Sequence, residues 1–125
     1  MAVRILIIED NEVARGSLTS ALQNEGFDVT AVGLGTEGLV KARQIKPDLI
    51  LLDLMLPDID GYDLLKKMTV KDKSKRNKIV VLTNMSDQNT IAKIIKAGGR
   101  KYLVKSDYSL KEIVDKIKEF LKEKK

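Results

Sequence analysis

Short apolar runs alternate along this chain with longer stretches of helical periodicity, and that alternation leaves few architectures open. Val3-Arg4-Ile5-Leu6-Ile7-Ile8, Leu49-Ile50-Leu51-Leu52, Ile79-Val80-Val81-Leu82 and Tyr102-Leu103-Val104 are each too short for a buried helix. Strand, helix, strand in succession favours right-handed crossovers and a parallel α/β sheet. A parallel sheet is covered on both faces, which is why its strands read as continuous apolar runs. Val29-Thr30-Ala31-Val32 is less apolar, which predicts an edge strand.

Five helices fit the intervals. The first carries Ala14, Leu18, Ala21 and Leu22 and stops before Gly26; the second runs from about Thr36 to Gln44, ahead of Pro47. The third starts near Asp60 and carries Leu64, Leu65 and Met68. The fourth carries Ile91, Ile94 and Ile95 and ends at Gly98-Gly99, a left-handed stop. The fifth presents Leu110, Ile113, Val114, Ile117, Phe120 and Leu121 as one stripe, opened by the capping-box spacing of Ser109 and Glu112.

These 125 residues make one domain, 1–125, with no internal repeat and no linker. No apolar stretch approaches the roughly 20 residues needed to span a bilayer, and with Met1 leading directly into the first strand no signal peptide is expected. The chain has no cysteine and no histidine, which excludes disulfides, thiolate metal sites and imidazole chemistry. Cytoplasmic location fits this. Asn84-Met85-Ser86 matches a glycosylation sequon by chance. The net charge of +5 opens a nucleic-acid reading. The basic residues are spread, however, with Lys66, Lys67, Lys71, Lys73, Lys75, Arg76 and Lys78 around one connection and five lysines in the last ten residues. Apart from Phe120, which belongs to the apolar stripe of the fifth helix, no aromatic residue stands among them, so a solvated surface is the better reading.

The chemistry sits where the apolar runs end. The first ends in Glu9-Asp10, the second in Asp53, the third in Thr83 and the last in Lys105. In a parallel sheet these ends line up along the edge where open α/β sheets bind ligands. Asp53, on a buried run with two acids nearby, is costly to ionise. Three acids without an arginine partner point to a bound cation. Hard oxygen donors alone favour Mg²⁺, which Asp10, Glu9, Asp53 and a backbone carbonyl near Met55 would hold. A carboxylate is also a nucleophile able to form an acyl phosphate. Thr83 and Lys105 suit the phosphate oxygens as hydroxyl donor and point charge.

Ile7-Ile8-Glu9-Asp10, Leu52-Asp53-Leu54-Met55-Leu56-Pro57, Asp60-Gly61, Val81-Leu82-Thr83 and Lys101-Tyr102-Leu103-Val104-Lys105 together resemble the receiver domain of bacterial two-component response regulators, the CheY-like family. The resemblance covers the whole chain. It implies a flavodoxin-like three-layer sandwich, with a five-stranded parallel sheet of order 2-1-3-4-5 flanked by five helices. It further implies that Asp53 takes a phosphoryl group from a sensor histidine kinase or phosphotransfer protein, with Mg²⁺ on Asp10, Asp53 and Glu9. Thr83, Lys105 and backbone N–H groups near Leu54 and Asn84 then contact the phosphoryl group. Such a domain catalyses only its own phosphorylation and dephosphorylation. Thr83 and Tyr102 form the switch, and a partner protein binds the face of helix 4, strand 5 and helix 5. The resemblance implies no direct nucleic-acid or membrane contact, and a monomer or a weak phosphorylation-linked dimer.

Two departures stand out. Ser106 replaces the family's proline after the lysine, which predicts a trans Lys105–Ser106 bond. Asn84 stands where a small residue is usual, and Met55 and Met85 are apolar where polar side chains help orient water, which predicts slow autodephosphorylation. Two rival readings remain open. Gly33-Leu34-Gly35-Thr36-Glu37-Gly38 matches the dinucleotide fingerprint, but after the second strand rather than the first. The other is a receiver-like scaffold that is never phosphorylated. Asp58-Ile59-Asp60-Gly61 resembles the start of a calcium loop, yet lacks its closing glutamate and reads better as a turn and helix cap.

Overall fold

A computed structural model describes residues 2–71, 78–84 and 87–123. Lys73, Lys75, Arg76, Met85 and Ser86, invoked above, lie outside the described residues, as do the two C-terminal lysines. The strands are β1 (Arg4–Ile8), β2 (Asp28–Val32), β3 (Leu49–Leu52), β4 (Lys78–Thr83) and β5 (Lys101–Val104). All pair in parallel, in the order β2-β1-β3-β4-β5, with β2 at one edge. The helices are α1 (Glu12–Asn24), α2 (Gly35–Ile45), α3 (Gly61–Lys71), α4 (Gln88–Lys96) and α5 (Leu110–Lys122), with a 3₁₀ turn over Lys105–Asp107. This is the flavodoxin-like order.

Alternation within the strands builds two cores. Ile5, Ile7, Leu49, Leu51, Val80, Leu82 and Leu103 face α1 and α5, meeting Leu18, Leu22, Ile113, Val114 and Ile117. Leu6, Ile8, Ile50, Leu52 and Val81 face the other way, onto Leu64 and Leu65 of α3 and Ile94 of α4. The continuous apolar runs are thus two alternating sets, both buried because both faces are covered.

Helix ends follow local chemistry. Asn11 accepts from the Ala14 N–H at 2.9 Å, Asp60 from the Tyr62 N–H at 2.8 Å, and Ser109 and Glu112 close a capping box on α5. Gly98, at φ +100°, continues the chain out of α4 in the left-handed region. One expectation fails on α4. Ile95 is 63% exposed, because the buried stripe runs through Thr90, Ile94 and Ala97, at i, i+4 and i+7, and Ile95 falls outside it.

At the amino ends of the strands, Lys78 donates to the carbonyls of Phe120 and Glu123 at the end of α5. Lys101 pairs with the Glu123 carboxylate and lies 4.9 Å from the centre of the Phe120 ring. The last turn of α5 is therefore held by two lysines from neighbouring strands.

Candidate functional site

The strand register does the assembling. Ile8 pairs with Leu52 and Leu52 with Val81, while Thr83 pairs with Val104. The residues one step past these pairs then share one edge. The Asp53 N–H continues the ladder to the Ile8 carbonyl at 2.9 Å, and the Glu9 N–H to the Val32 carbonyl at 3.0 Å. Glu9 is 2% exposed, Asp53 8%, and Thr83 is fully buried. Lys105 reaches from the end of β5 to Glu9 Oε1 at 2.5 Å and stands 3.7 Å from Asp53 Oδ2. The remaining Asp53 oxygen accepts from the Met55 N–H at 3.1 Å, and Glu9 Oε2 from the Asn11 N–H at 3.1 Å.

Burial and the neighbouring Glu9 push the Asp53 carboxyl up to about 6, only partly opposed by the Met55 N–H and the Lys105 ammonium. Burial also works against ionised Glu9. Its hydrogen bonds with Asp53, Lys105 and the Asn11 N–H outweigh burial and hold it below the usual carboxylate range. The two acids act as a pair, and Asp53 is the one whose ionisation the pair disfavours.

This amends the expected charge pattern. The acids do have a basic partner, Lys105 rather than an arginine, so excess charge alone no longer demands a cation. Nor do all three acids converge. Asp10 is exposed at the rim, and among the described residues no three acidic side chains gather closely enough to cage a metal. The donor chemistry still fits Mg²⁺, which takes one or two carboxylates and keeps several waters. Glu9 and Asp53 supply two oxygen donors at a crevice where one lysine faces two acids. Met55 borders it with an exposed side chain, and Asn84 is exposed past Thr83.

Arg15 had no warning in the sequence. Its guanidinium donates to the carbonyls of Glu9 at 2.9 Å and Asp10 at 3.2 Å, and it lies against Gly33, where a Cβ would meet it at 2.8 Å. It thereby ties the loop after β1 to the loop after β2. The segment read as a turn and helix cap supplies its cap through Asp60, while Asp58 within it reaches α2, accepting from the Gly35 N–H at 2.9 Å, the Thr36 N–H at 3.0 Å and the Thr36 hydroxyl at 2.7 Å. These bonds hold its carboxyl down to about 2. Such a contact between residues more than twenty apart leaves no local pattern. The peptide bond between Lys105 and Ser106 is trans.

The dinucleotide reading fails on the same contacts. The first turn of α2, where a pyrophosphate would sit, is taken by Asp58. The glycines have packing reasons instead: a methyl at Gly35 would overlap Ile59, and one at Gly38 would overlap Ile8.

Fold and crevice define a doubly wound α/β domain with a buried acid pair and a lysine at its carboxyl edge. Residues 5–118 match the response regulator receiver domain, and the chain belongs to that family, the receivers of two-component response regulators. It is 34% identical over 118 residues to the DNA-binding response regulator MtrA of Mycobacterium tuberculosis (strain H37Rv), covering 94% of this chain and 50% of MtrA. It is 31% identical over 121 residues to the response regulator protein VraR of Staphylococcus aureus (strain NCTC 8325), covering 94% of this chain and 56% of VraR. The chain thus spans about half the length of the curated relatives it matches. The CheY-like receiver domain protein of Methanospirillum hungatei superposes with a TM-score of 0.87 at 29% identity, over 97% of this chain and 94% of that one. The BeF3-activated receiver domain of Klebsiella pneumoniae RstA superposes with a TM-score of 0.84 at 26% identity, over 96% and 99%.

Proposed function

We propose that Asp53 is the phosphoacceptor of a phosphorylation-activated switch. The observation that carries this is the position of its carboxylate, buried at the end of β3 between the Met55 N–H and Lys105. An ionised Asp53 oxygen attacks the phosphorus of a phosphohistidine on a sensor kinase or phosphotransfer protein. The new P–O bond forms as the P–N bond breaks, the electron pair returns to the imidazole nitrogen, and an acyl phosphate remains. Glu9, Asp53 and the Met55 carbonyl would hold Mg²⁺, with Asp10 brought in from the rim, and the ion would supply positive charge toward the carboxylate and the phosphoryl oxygens. Lys105, now engaged with Glu9, exchanges that partner for a phosphoryl oxygen, and Thr83 contributes its hydroxyl. The domain catalyses only this transfer and the later hydrolysis of its product, in which water takes the phosphoryl group as inorganic phosphate and the Asp53 carboxylate is freed.

The phosphoryl group, which carries roughly −1.5 to −2 charges where the carboxylate carried one, draws Thr83 toward it, and Tyr102, exposed on β5, fills the space released. Ile95 and Tyr102 lie exposed on α4 and β5, on the face we assign to a partner protein. We place the output in protein contact in the cytoplasm, by a monomer or a weak phosphorylation-linked dimer. DNA binding, named for MtrA, belongs to a protein of which this chain matches half. Labelling by a cognate kinase or a small phosphodonor should require Mg²⁺ and vanish in Asp53→Asn; equal labelling of that variant overturns the mechanism. With Asn84 and Met55 both exposed at the crevice, the label should be lost slowly. A lifetime of seconds in a chase would exclude that.

A further inference from the structure

The loop that follows Asp53 is held at both ends and in the middle. The Met55 N–H orients Asp53 itself, and the Leu56 N–H closes back on the Leu54 carbonyl at 3.2 Å. At the far end Asp60 caps α3, while Gly61 sits so close to the Leu54 backbone that a methyl there would overlap it. In the middle, Leu56 and Ile59 pack on Gly35, and Asp58 makes its three bonds to Gly35 and Thr36. The residue at the N-cap position of α2, Leu34, makes no side-chain cap. The cap of α2 is therefore supplied by the loop that carries the nucleophile's own hydrogen-bond donor.

We infer that Asp58 is a positioning residue for phosphoryl transfer: by gripping the first turn of α2 it fixes the 54–60 loop, and so the Met55 N–H that aims Asp53. This rests on the phosphoacceptor reading of Asp53. Asp58 makes no contact with Asp53 and acts through the backbone between them. A reacting carboxylate that loses its fixed donor samples unproductive orientations, which lowers the rate of transfer rather than the affinity for the donor. A cap that merely stabilised α2 would leave that rate alone.

The two roles separate experimentally, because Leu34 has the extended backbone an N-cap needs, at φ −120° and ψ 142°, and is exposed. Placing aspartate there restores a cap without restoring the tether. Wild type, Asp58→Ala, Asp58→Asn and Asp58→Ala with Leu34→Asp would be labelled with acetyl phosphate and Mg²⁺ over a range of donor concentrations. Each would also be melted and followed by amide exchange. Asp58→Ala should lower the maximal rate about tenfold at an unchanged half-saturating concentration, with faster exchange at Met55 and Leu56. Asp58→Asn, which keeps one acceptor oxygen, should fall between it and wild type. Adding Leu34→Asp should restore the melting temperature and leave the rate low. A wild-type rate in Asp58→Ala, or recovery of the rate with Leu34→Asp, overturns the inference. If folded wild type takes no label at all, the reading of Asp53 fails first and the inference with it.

Discussion

At the carboxyl ends of the strands Lys105 meets Glu9, whose side chain is 3% exposed; at the amino ends Lys101 meets Glu123, whose side chain is 48% exposed. Both pairs join β5 to another element by one ammonium and one carboxylate. Their surroundings differ. Around Glu123, water screens the charges, and a second lysine, Lys78, satisfies carbonyls at the end of α5, where cations suit the helix dipole. Around Glu9 there is little water, and a second carboxylate, Asp53, competes for the same lysine. The exposed pair therefore contributes stability alone, and modestly. The buried group converts burial into shifted ionisation, which marks it as a candidate site.

Breaking each pair should sharpen the contrast. Lys105→Met strands Glu9 as a buried anion and should cost about 3 kcal/mol in urea denaturation with chelator present. Adding Glu9→Gln should recover most of that. A loss no larger than an exposed pair's would erase the distinction between the two ends.

The next effect has the opposite sign. Because the folded-state pKa of Asp53 is raised to about 6, the native protein holds its proton where the unfolded chain has released it. Without metal, stability should therefore fall as pH rises from about 4 to about 6 and level off above, where the whole penalty is present. Glu9 is shifted the other way, so its contribution is lost only as pH falls through and below the ordinary carboxylate range. Asp53→Asn should accordingly stabilise the metal-free protein by about 1–2 kcal/mol at pH 7, the gain fading toward pH 4. A variant no more stable than wild type at pH 7 contradicts the cost assigned to the buried carboxylate.

Smallest of all, Glu123→Gln should change stability by less than about 0.5 kcal/mol. That difference should shrink further in thermal melts at high salt.

Much of the site was legible because parallel strands turn a list of run-ending residues into neighbours. Glu9, Asp53, Thr83 and Lys105 each follow an apolar run, and the register sets them along one edge. Asp10 follows the same rule one residue too far along, and its side chain ends at the rim. Ile95 misled for a related reason. Three isoleucines on one helix exceed what a single stripe against the sheet can bury, and only the packing of α4 shows which one is left out.

The sequence by itself determined the elements, their order and the acids that stand at the strand ends. Those features depend on residues close along the chain: periodicity, local caps such as Ser109 with Glu112, and stops such as Gly98. Only the tertiary structure decided who pairs with whom at the crevice. Lys105 on Glu9, Arg15 on two carbonyls and Asp58 on the first turn of α2 are contacts made when separate loops meet above the sheet. Around Glu9 and Lys105 that meeting also excludes water, which makes one partner cheaper than another.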